Sequence, residues 1–241
     1  MTESPVVELR RYTLHSGQRQ ALIELFEREF LETQEAVGMR VIGQFRDLDD
    51  ANRFVWLRGF ADMDTRAASL AAFYGGPVWQ AHRDAANATM VDSDDVHLLK
   101  PAWTGAGIDG GAHCRSAPGT TAPAQGLLDA TVFPLHAPAS SDLLALCREV
   151  LSPVLRQGGA RRIAWYVSEP SPNNFPRLPV RGGEPVLVGL ALFDSAEAFD
   201  TFARSGAWAR QARPALAPWL ARAAESHRLA PTSRSALHAT A

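Results

Sequence analysis

The chain has 241 residues, of which 46% are hydrophobic and 21% charged, and its formal net charge is −2 at pH 7. This near-neutral balance argues against nucleic acid or an anionic membrane surface as a partner, because both attract strongly basic proteins. The length suits two compact units of about 100 residues each, and the apolar runs are far shorter than the roughly 18 residues of a membrane span.

The N-terminus, MTESPVVELRR, lacks a basic start followed by an apolar stretch, so we expect a cytoplasmic protein without a secretory signal. Cys114 and Cys147 are too few for a disulfide framework, and Cys147 lies on the apolar face of a predicted helix, as buried thiols do. The histidines lack metal-ligand spacing, and no carboxylates cluster with them. We therefore predict no metal and no cofactor.

The first half begins with an alternating stretch, VVELRRYTL, which predicts a strand. GQRQALIELFEREFLETQEAV places apolar residues along one helical face and ends at Gly38. MRVIGQFRD and NRFVWLRGF then predict two strands joined by a short turn.

A second helix follows, with Asp62 or Asp64 as its expected N-cap. GGP at 75–77 interrupts it, and DVHLLK predicts the last strand. The order β-α-β-β-α-β is that of a ferredoxin-like unit, so the fold class is α+β.

The second half repeats this pattern. YTLH at 12–15 aligns with FPLH at 133–136, and the same offset of 121 carries the alignment through the first helix and into the next strand without a gap. We therefore predict two tandem ferredoxin-like units, residues 1–101 and the diverged 127–241, joined by a Gly/Pro/Ala-rich linker at 102–126.

Two other segments need interpretation. GAGIDG at 105–110 matches the dinucleotide-binding pattern, but a linker follows it instead of a helix, so we exclude that function. The second unit carries a Pro-rich insertion at 170–185 between its middle strands. It is a candidate lid, with an inert hairpin loop as the alternative.

Alternation gives the strands of the first unit two faces. One face is apolar or small, and we expect it under the helices: Val7, Leu9, Val41, Gly43, Phe45, Val55, Leu57 and Gly59. The other is too aromatic for a solvent face and too charged for a plain core, which favours a cavity between two sheets. It comprises Glu8, Arg10, Tyr12, Ile42, Gln44, Arg46, Phe54, Trp56, Arg58 and Phe60.

The second unit is more apolar at the positions aligned with this face. Where the first unit has Glu8, Arg10, Tyr12, Gln44, Trp56 and Arg58, it has Asp129, Thr131, Phe133, Trp165, Gly189 and Ala191. We therefore expect the first unit to supply most of the polar chemistry of any site.

The candidate catalytic residues are Glu8, Arg10 and Arg58. Glu8 is proposed as an acid, a base or a hydrogen-bond acceptor, and the two arginines as groups that hold an anionic or carbonyl oxygen. The candidate ligand-binding residues are Tyr12, Gln44, Phe54, Trp56 and His82. A structural alternative stays open for each group. Glu8, Arg10 and Arg58 would then form an ion-pair network that only holds the second sheet in place, and His82 would be a helix histidine paired with a neighbour.

Residues 5–101 resemble the NIPSNAP family in its bacterial form. The resemblance depends on the E-x-R-x-Y pattern of Glu8, Arg10 and Tyr12 and on Trp79 in the second helix. It implies the dimeric α+β barrel superfamily, in which two ferredoxin-like units close their sheets into one barrel, within a chain or across a homodimer. Related members include cofactor-independent monooxygenases, small-molecule isomerases and haem-handling enzymes.

Two functions compete at this point. The first is binding or conversion of a small organic molecule in a cavity between the sheets, by a cofactor-independent monooxygenase or isomerase type of reaction if the protein is an enzyme. The second is a non-catalytic scaffold with a packed barrel interior. A ligand cavity should hold about 300 Å³ or more, whereas a filled interior favours the scaffold.

Overall fold

The computed structural model describes residues 3–108 and 115–240, so Cys114 and the end of the GAGIDG match lie outside the described residues. In the first unit the elements are β1 (Val6–Leu14), α1 (Arg19–Leu25), a π-helical turn (Phe26–Phe30), α2 (Leu31–Ala36), β2 (Arg40–Asp47), β3 (Arg53–Phe60), α3 (Met63–Tyr74), α4 (Pro77–Asn87), β4 (Met90–Asp92) and β5 (Val96–Pro101). Asp62 is the N-cap of α3, and its side chain accepts a hydrogen bond from the Thr65 amide.

The second unit has the same order of elements. They are β6 (Leu127–Pro134), α5 (Ser141–Leu146), a π-helical turn (Cys147–Leu151), α6 (Ser152–Gln157), β7 (Arg162–Ser168), β8 (Val186–Phe193), α7 (Ala196–Ser205), a π-helical turn (Trp208–Ala212), α8 (Arg213–Leu216), a 3₁₀ turn (Ala217–Trp219) and β9 (Glu225–Pro231). Cys147 is buried as predicted, and burial raises the pKa of its thiol to about 12.

The strands form one closed barrel. Each unit contributes a four-stranded antiparallel sheet, in the orders β5-β1-β3-β2 and β7-β8-β6-β9. Two seams join the sheets: β2 pairs with β9, and β5 pairs with β7. The predicted α+β barrel of two ferredoxin-like units is confirmed, and it closes within one chain. A homodimer is therefore not needed to complete it and stays a prediction.

Two backbone irregularities recur at the predicted offset of 121. The π-helical turn at Phe26–Phe30 corresponds to that at Cys147–Leu151, and Gly38 (φ 95°) corresponds to Gly159 (φ 99°). A positive φ is the conformation that glycine adopts at least cost at a helix end. Because π-helical turns are rare, their recurrence supports the duplication independently of side-chain identity.

The barrel interior is a packed apolar core. All eight barrel strands contribute to it, with Val7, Leu9, Ile42, Phe45, Val55, Leu57, Leu99, Leu128, Ala130, Val132, Ala164, Tyr166, Val186, Val188, Leu190, Leu192 and Leu229. Ile108 from the segment after β5 and Leu237 from the C-terminal segment join the same cluster.

The predicted assignment of the two faces is therefore wrong for most of the first unit. Val7, Leu9 and Val55 face the second sheet, whereas Glu8, Arg10, Tyr12, Phe54, Trp56, Arg58 and Phe60 lie under the helices. Both faces of each sheet are covered, so alternation separates them without showing which one meets the helices. In β2 a bulge between Val41 and Gly43 also breaks the alternation. It leaves Val41 under the helices and Ile42 in the barrel, both as predicted.

Among the described residues, no helix has the length and apolar character needed to cross a membrane.

Candidate functional site

A buried ionic cluster lies between the first sheet and its helices. Glu8 Oε2 accepts hydrogen bonds from Arg10 Nη1 at 2.7 Å and Arg58 Nε at 2.8 Å, and Oε1 accepts one from Arg66 Nε at 2.7 Å. Glu8, Arg58 and Arg66 have no exposed surface, and Arg10 is 1% exposed. The register places Glu8 directly opposite Arg58 on β3, while α3 supplies Arg66.

The electrostatics fix the protonation state of this carboxylate. Burial alone would raise the pKa of Glu8, but the charges of Arg58, Arg10 and Arg66 outweigh it and hold that pKa far below its usual range. Glu8 is therefore ionised at every physiological pH, with both oxygens occupied. It is suited to holding the three guanidinium groups in place and poorly suited to donating a proton.

Aromatic rings surround the arginines. The Arg10 guanidinium lies 5.5 Å from the ring centre of Tyr12 and 5.6 Å from that of Trp56, and Arg58 lies 5.0 Å from Trp56. Arg10 Nε donates to the Tyr12 hydroxyl at 2.9 Å, and Arg58 Nη1 is 3.4 Å from the Tyr74 hydroxyl. Burial raises the pKa of Tyr12 against the opposing charge of Arg10, so burial favours its neutral phenol form.

A small cavity of about 30 Å³ adjoins the cluster on its helix side. Its lining is Tyr12, Leu22, Phe26, Phe30, Gln34, Trp56, Phe73, Tyr74, Trp79, Ala86 and Met90. This volume holds about one water molecule. Trp56 Nε1, on a residue that lines the cavity, is buried without a hydrogen-bond partner, and so is Arg66 Nη2 in the ionic cluster. Both side-chain polar atoms of Gln44, opposite Trp56 in the strand register, also lack a partner.

The predicted ligand-binding residues fall into two groups. Tyr12 and Trp56 line the cavity, and Phe54 packs against Tyr12, with ring centres 6.3 Å apart. Gln44 lies opposite Trp56 in the strand register, under the helices. His82 lies apart from the ionic cluster on α4, one-third exposed, with Nε2 3.5 Å from Glu29.

Three residues of the cluster were not identified from the sequence: Gln34, Arg66 and Tyr74. A signal for two of them was present, because a polar residue continues the buried face of a helix. Arg66 stands four residues before Leu70, and Gln34 four residues after Phe30. On that face a polar side chain needs a buried partner, and for both residues the partner lies in this cluster.

The Pro-rich insertion of the second unit covers this region of the first. Arg66 Nη1 donates to the side-chain oxygens of Asn173 at 3.0 Å and Asn174 at 2.8 Å, and the Phe175 ring lies 6.3 Å from that of Tyr74. Asn174 Nδ2 also donates to the Met63 carbonyl at 2.6 Å. The insertion therefore seals the ionic cluster from solvent.

The corresponding region of the second unit is packed and largely apolar, and among the described residues Asp129, at the position of Glu8, accepts hydrogen bonds only from the hydroxyls of Thr131 and Ser226. Trp165 fills this region, and its Nε1 donates to Ser152 Oγ at 2.9 Å, so its polar atom is satisfied. A Cβ on Gly189 would lie only 2.8 Å from the Trp165 ring, which shows how tightly the ring is seated. The same fold is thus stable without a buried ionic cluster at this place.

A second polar cluster lies inside the barrel, at the end away from Leu237. Buried Arg11 donates to Glu225 at 2.7 Å and to Asp95 at 2.9 Å, and its guanidinium nitrogens lie 3.2 Å from His227 Nε2 and 3.3 Å from His97 Nε2. This cluster joins the units, because Glu225 and His227 belong to β9. Burial, reinforced by Arg11, lowers the pKa of His97 to about 4.

The architecture defines the class of the protein as an α+β barrel made from two ferredoxin-like units. The chain is similar over 100% of its length to an anthrone oxidase-like protein of known structure, with a TM-score of 0.57, 12% identity and 99% of that chain covered. It is also similar to a candidate monooxygenase from Lactobacillus acidophilus, with a TM-score of 0.56, 12% identity, and 97% and 98% of the two chains covered. These likenesses establish the fold.

Residues 7–104, covering most of the first unit, match the model of the NIPSNAP family. The resemblance predicted from Glu8, Arg10, Tyr12 and Trp79 is thereby confirmed. A NIPSNAP-like protein from Burkholderia xenovorans is 29% identical over 43% of this chain and 91% of its own, with a TM-score of 0.39. None of the curated proteins compared with the chain matches it.

Proposed function

We propose that the protein binds a small aromatic molecule between the first sheet and its helices, in the pocket lined by Tyr12, Trp56 and Tyr74. The observation that carries this proposal is the contrast between the two units. A buried ionic network is often no more stabilising than well-packed apolar residues, and at the aligned positions the second unit has no arginine, with Phe133, Trp165 and Ala191 in its apolar core. In the first unit, buried charges, buried polar atoms without a hydrogen-bond partner and a cavity lie side by side, a combination typical of binding sites.

This proposal places the ligand outside the barrel, in contrast to the cavity between the sheets expected from the sequence. The described residues of the barrel interior form a packed apolar core, which favours the scaffold function for that part of the molecule. A candidate monooxygenase and an anthrone oxidase-like protein share the fold, and these descriptions support a small organic ligand for the pocket. If the ligand is converted, Glu8, Arg10 and Arg58 would orient it and stabilise charge on it.

Nuclear magnetic resonance of the indole N–H groups tests the proposal. We expect phenol, the simplest aromatic probe with a polar group, to shift the Trp56 indole signal saturably, because Trp56 Nε1 has no protein partner at the cavity. The Trp165 signal is the matched control, since its Nε1 is already bonded to Ser152. Trp56→Phe and Trp165→Phe assign the two signals.

Ala86→Val supplies the blocking variant. Ala86 lines the cavity, and two added methyl groups would fill a space of about 30 Å³. We expect this variant to fold and to lose the phenol-dependent shift. If Ala86→Val binds phenol as the wild type does, or the Trp56 signal of the wild type does not move, the pocket is not a binding site and the scaffold function is favoured.

The insertion at 170–185 acts as the lid in this proposal. The cavity of about 30 Å³ is a tenth of the volume expected of a ligand site, so a phenol-sized ligand enters only when Phe175 and the segment around it move away from Tyr74. We expect the double substitution Asn173→Ala, Asn174→Ala to speed trypsin cleavage at exposed Arg177, since it removes the hydrogen bonds to Arg66. Cleavage at Arg204, which lies on α7 of the second unit, is the internal control. An unchanged rate at Arg177 would favour the inert loop.

A further inference from the structure

The buried charges around Glu8 do not balance. Arg10, Arg58 and Arg66 are all buried, and Glu8 is the one carboxylate within ion-pair distance of them among the described residues. The cluster therefore carries an excess of two positive charges. Burying an unpaired charge is costly, and proteins normally offset it with a partner of opposite sign.

The other groups that contact these arginines are neutral. They are the hydroxyls of Tyr12 and Tyr74, the side-chain oxygens of Gln34, Asn173 and Asn174, and the sulfur of Met39. These groups solvate the guanidinium groups without neutralising them. Arg66 Nη2 has no acceptor at all, although the residue is fully buried.

The barrel-end cluster of the same chain shows how a balanced site is built. There, buried Arg11 faces two carboxylates, Asp95 and Glu225. Exposed Arg181 and Arg222 lie at the rim and also contact these acids, and Glu184 pairs with Arg222, so three arginines meet three carboxylates. Of these two clusters, the one beside the aromatic cavity has the excess of positive charge.

We propose that the ligand of the first unit is an anion, whose negative group, a carboxylate or a phenolate, approaches the three arginines while its apolar part occupies the aromatic pocket. This inference rests on the proposed function and specifies its ligand class. Guanidinium groups bind planar oxyanions through paired N–H donors, and such charge-assisted bonds are stronger than neutral ones. Three cavity-lining side chains already contact the arginines: Tyr12, Gln34 and Tyr74.

Formate and formamide test whether the ligand must be negatively charged, because they have nearly the same shape and size and differ in charge. The midpoint of thermal unfolding is measured as formate or formamide is added. Gluconate, an anion too bulky for the small cavity, keeps the ionic strength constant. We expect formate to raise the midpoint saturably and to bind at least tenfold more tightly than formamide. Equal effects of the two compounds, or no saturable effect of formate on the wild type, would overturn the inference.

Arg66→Met is the variant that reduces the excess charge while keeping most of the side-chain volume. We expect its midpoint in gluconate to equal or exceed that of the wild type and its affinity for formate to fall at least tenfold. Full retention of the formate effect in a folded Arg66→Met protein would place the anion elsewhere and contradict the inference. If Arg66→Met does not fold, Arg10→Met gives the same comparison.

The outcomes separate this inference from the proposed function. If phenol binding depends on Ala86 but formate has no effect, the pocket stands and its ligand is neutral. If formate binds through Arg66 but phenol fails to bind, the cluster is an anion site and the aromatic pocket is rejected.

Discussion

Glu8→Gln should destabilise the protein by about 3–5 kcal/mol, the usual cost of removing one partner from a buried ion pair. The substitution removes the one carboxylate that three buried guanidinium groups share. Urea unfolding followed by circular dichroism at pH 7 measures the effect as a lower midpoint at an unchanged slope.

Asp129→Asn is the matched control, because Asp129 occupies the aligned position in the second unit. Burial raises the pKa of Asp129 to about 6, so its charge does not stabilise the folded state, and its partners, the hydroxyls of Thr131 and Ser226, can bond to an amide as well. We expect its effect to be within about 1 kcal/mol of zero. Equal losses in both variants would mean that the first-unit cluster has no special dependence on its carboxylate.

Arg58→Met completes the comparison. It leaves Glu8 paired with Arg10 and Arg66 and keeps most of the buried volume, so we expect it to cost less than half as much as Glu8→Gln. An Arg58→Met variant as unstable as Glu8→Gln would show that geometry, rather than charge balance, determines the stability of the cluster. Ala191→Ser, at the position aligned with Arg58, should change little.

His97 should make the protein sensitive to mild acid. Its folded-state pKa of about 4 lies below the ordinary value of 6.5, so the unfolded chain takes up a proton in the interval between them while the folded chain does not. Stability from this group is complete above pH 6.5 and is lost as the pH falls towards 4. The loss between pH 7 and pH 5 amounts to about 2 kcal/mol.

The test compares the wild type with His97→Gln at both pH values by urea unfolding. We expect the stability difference between them to shift by about 2 kcal/mol in favour of the variant at pH 5, because glutamine has no proton to gain. Since Asp129 and Glu225 also titrate with shifted pKa values, the difference between proteins isolates His97. For His15→Gln, at an exposed site, the free energy of unfolding should change between the two pH values as it does for the wild type. Parallel profiles for His97→Gln would contradict the prediction.

The fold was predictable because its signals are local and repeated. The alternation in β1, the helix ending at Gly38 and the aligned YTLH and FPLH segments were enough to predict two ferredoxin-like units. Which face of each sheet packs against the helices was not predictable in the same way. Val7 and Glu8 belong to two buried faces, and the choice between them depends on which one meets α3 and its Arg66.

The candidate site was predictable in part. Glu8, Arg10 and Arg58 do lie together, since cross-strand neighbours follow from the order of strands. The contributions of Gln34, Arg66, Tyr74 and the insertion depend on contacts between distant segments, such as Arg66 with Asn173. One sequence contains no direct record of such contacts.

The closure of the barrel within one chain has a consequence for symmetry. In a homodimer of identical units every substitution occurs twice, so both copies of a pocket change together. Here the seams β2–β9 and β5–β7 are equivalent by the internal repeat, yet the residues on the two sides vary independently. One unit can therefore specialise in stability while the other retains polar chemistry. We expect a binding stoichiometry of one ligand per chain.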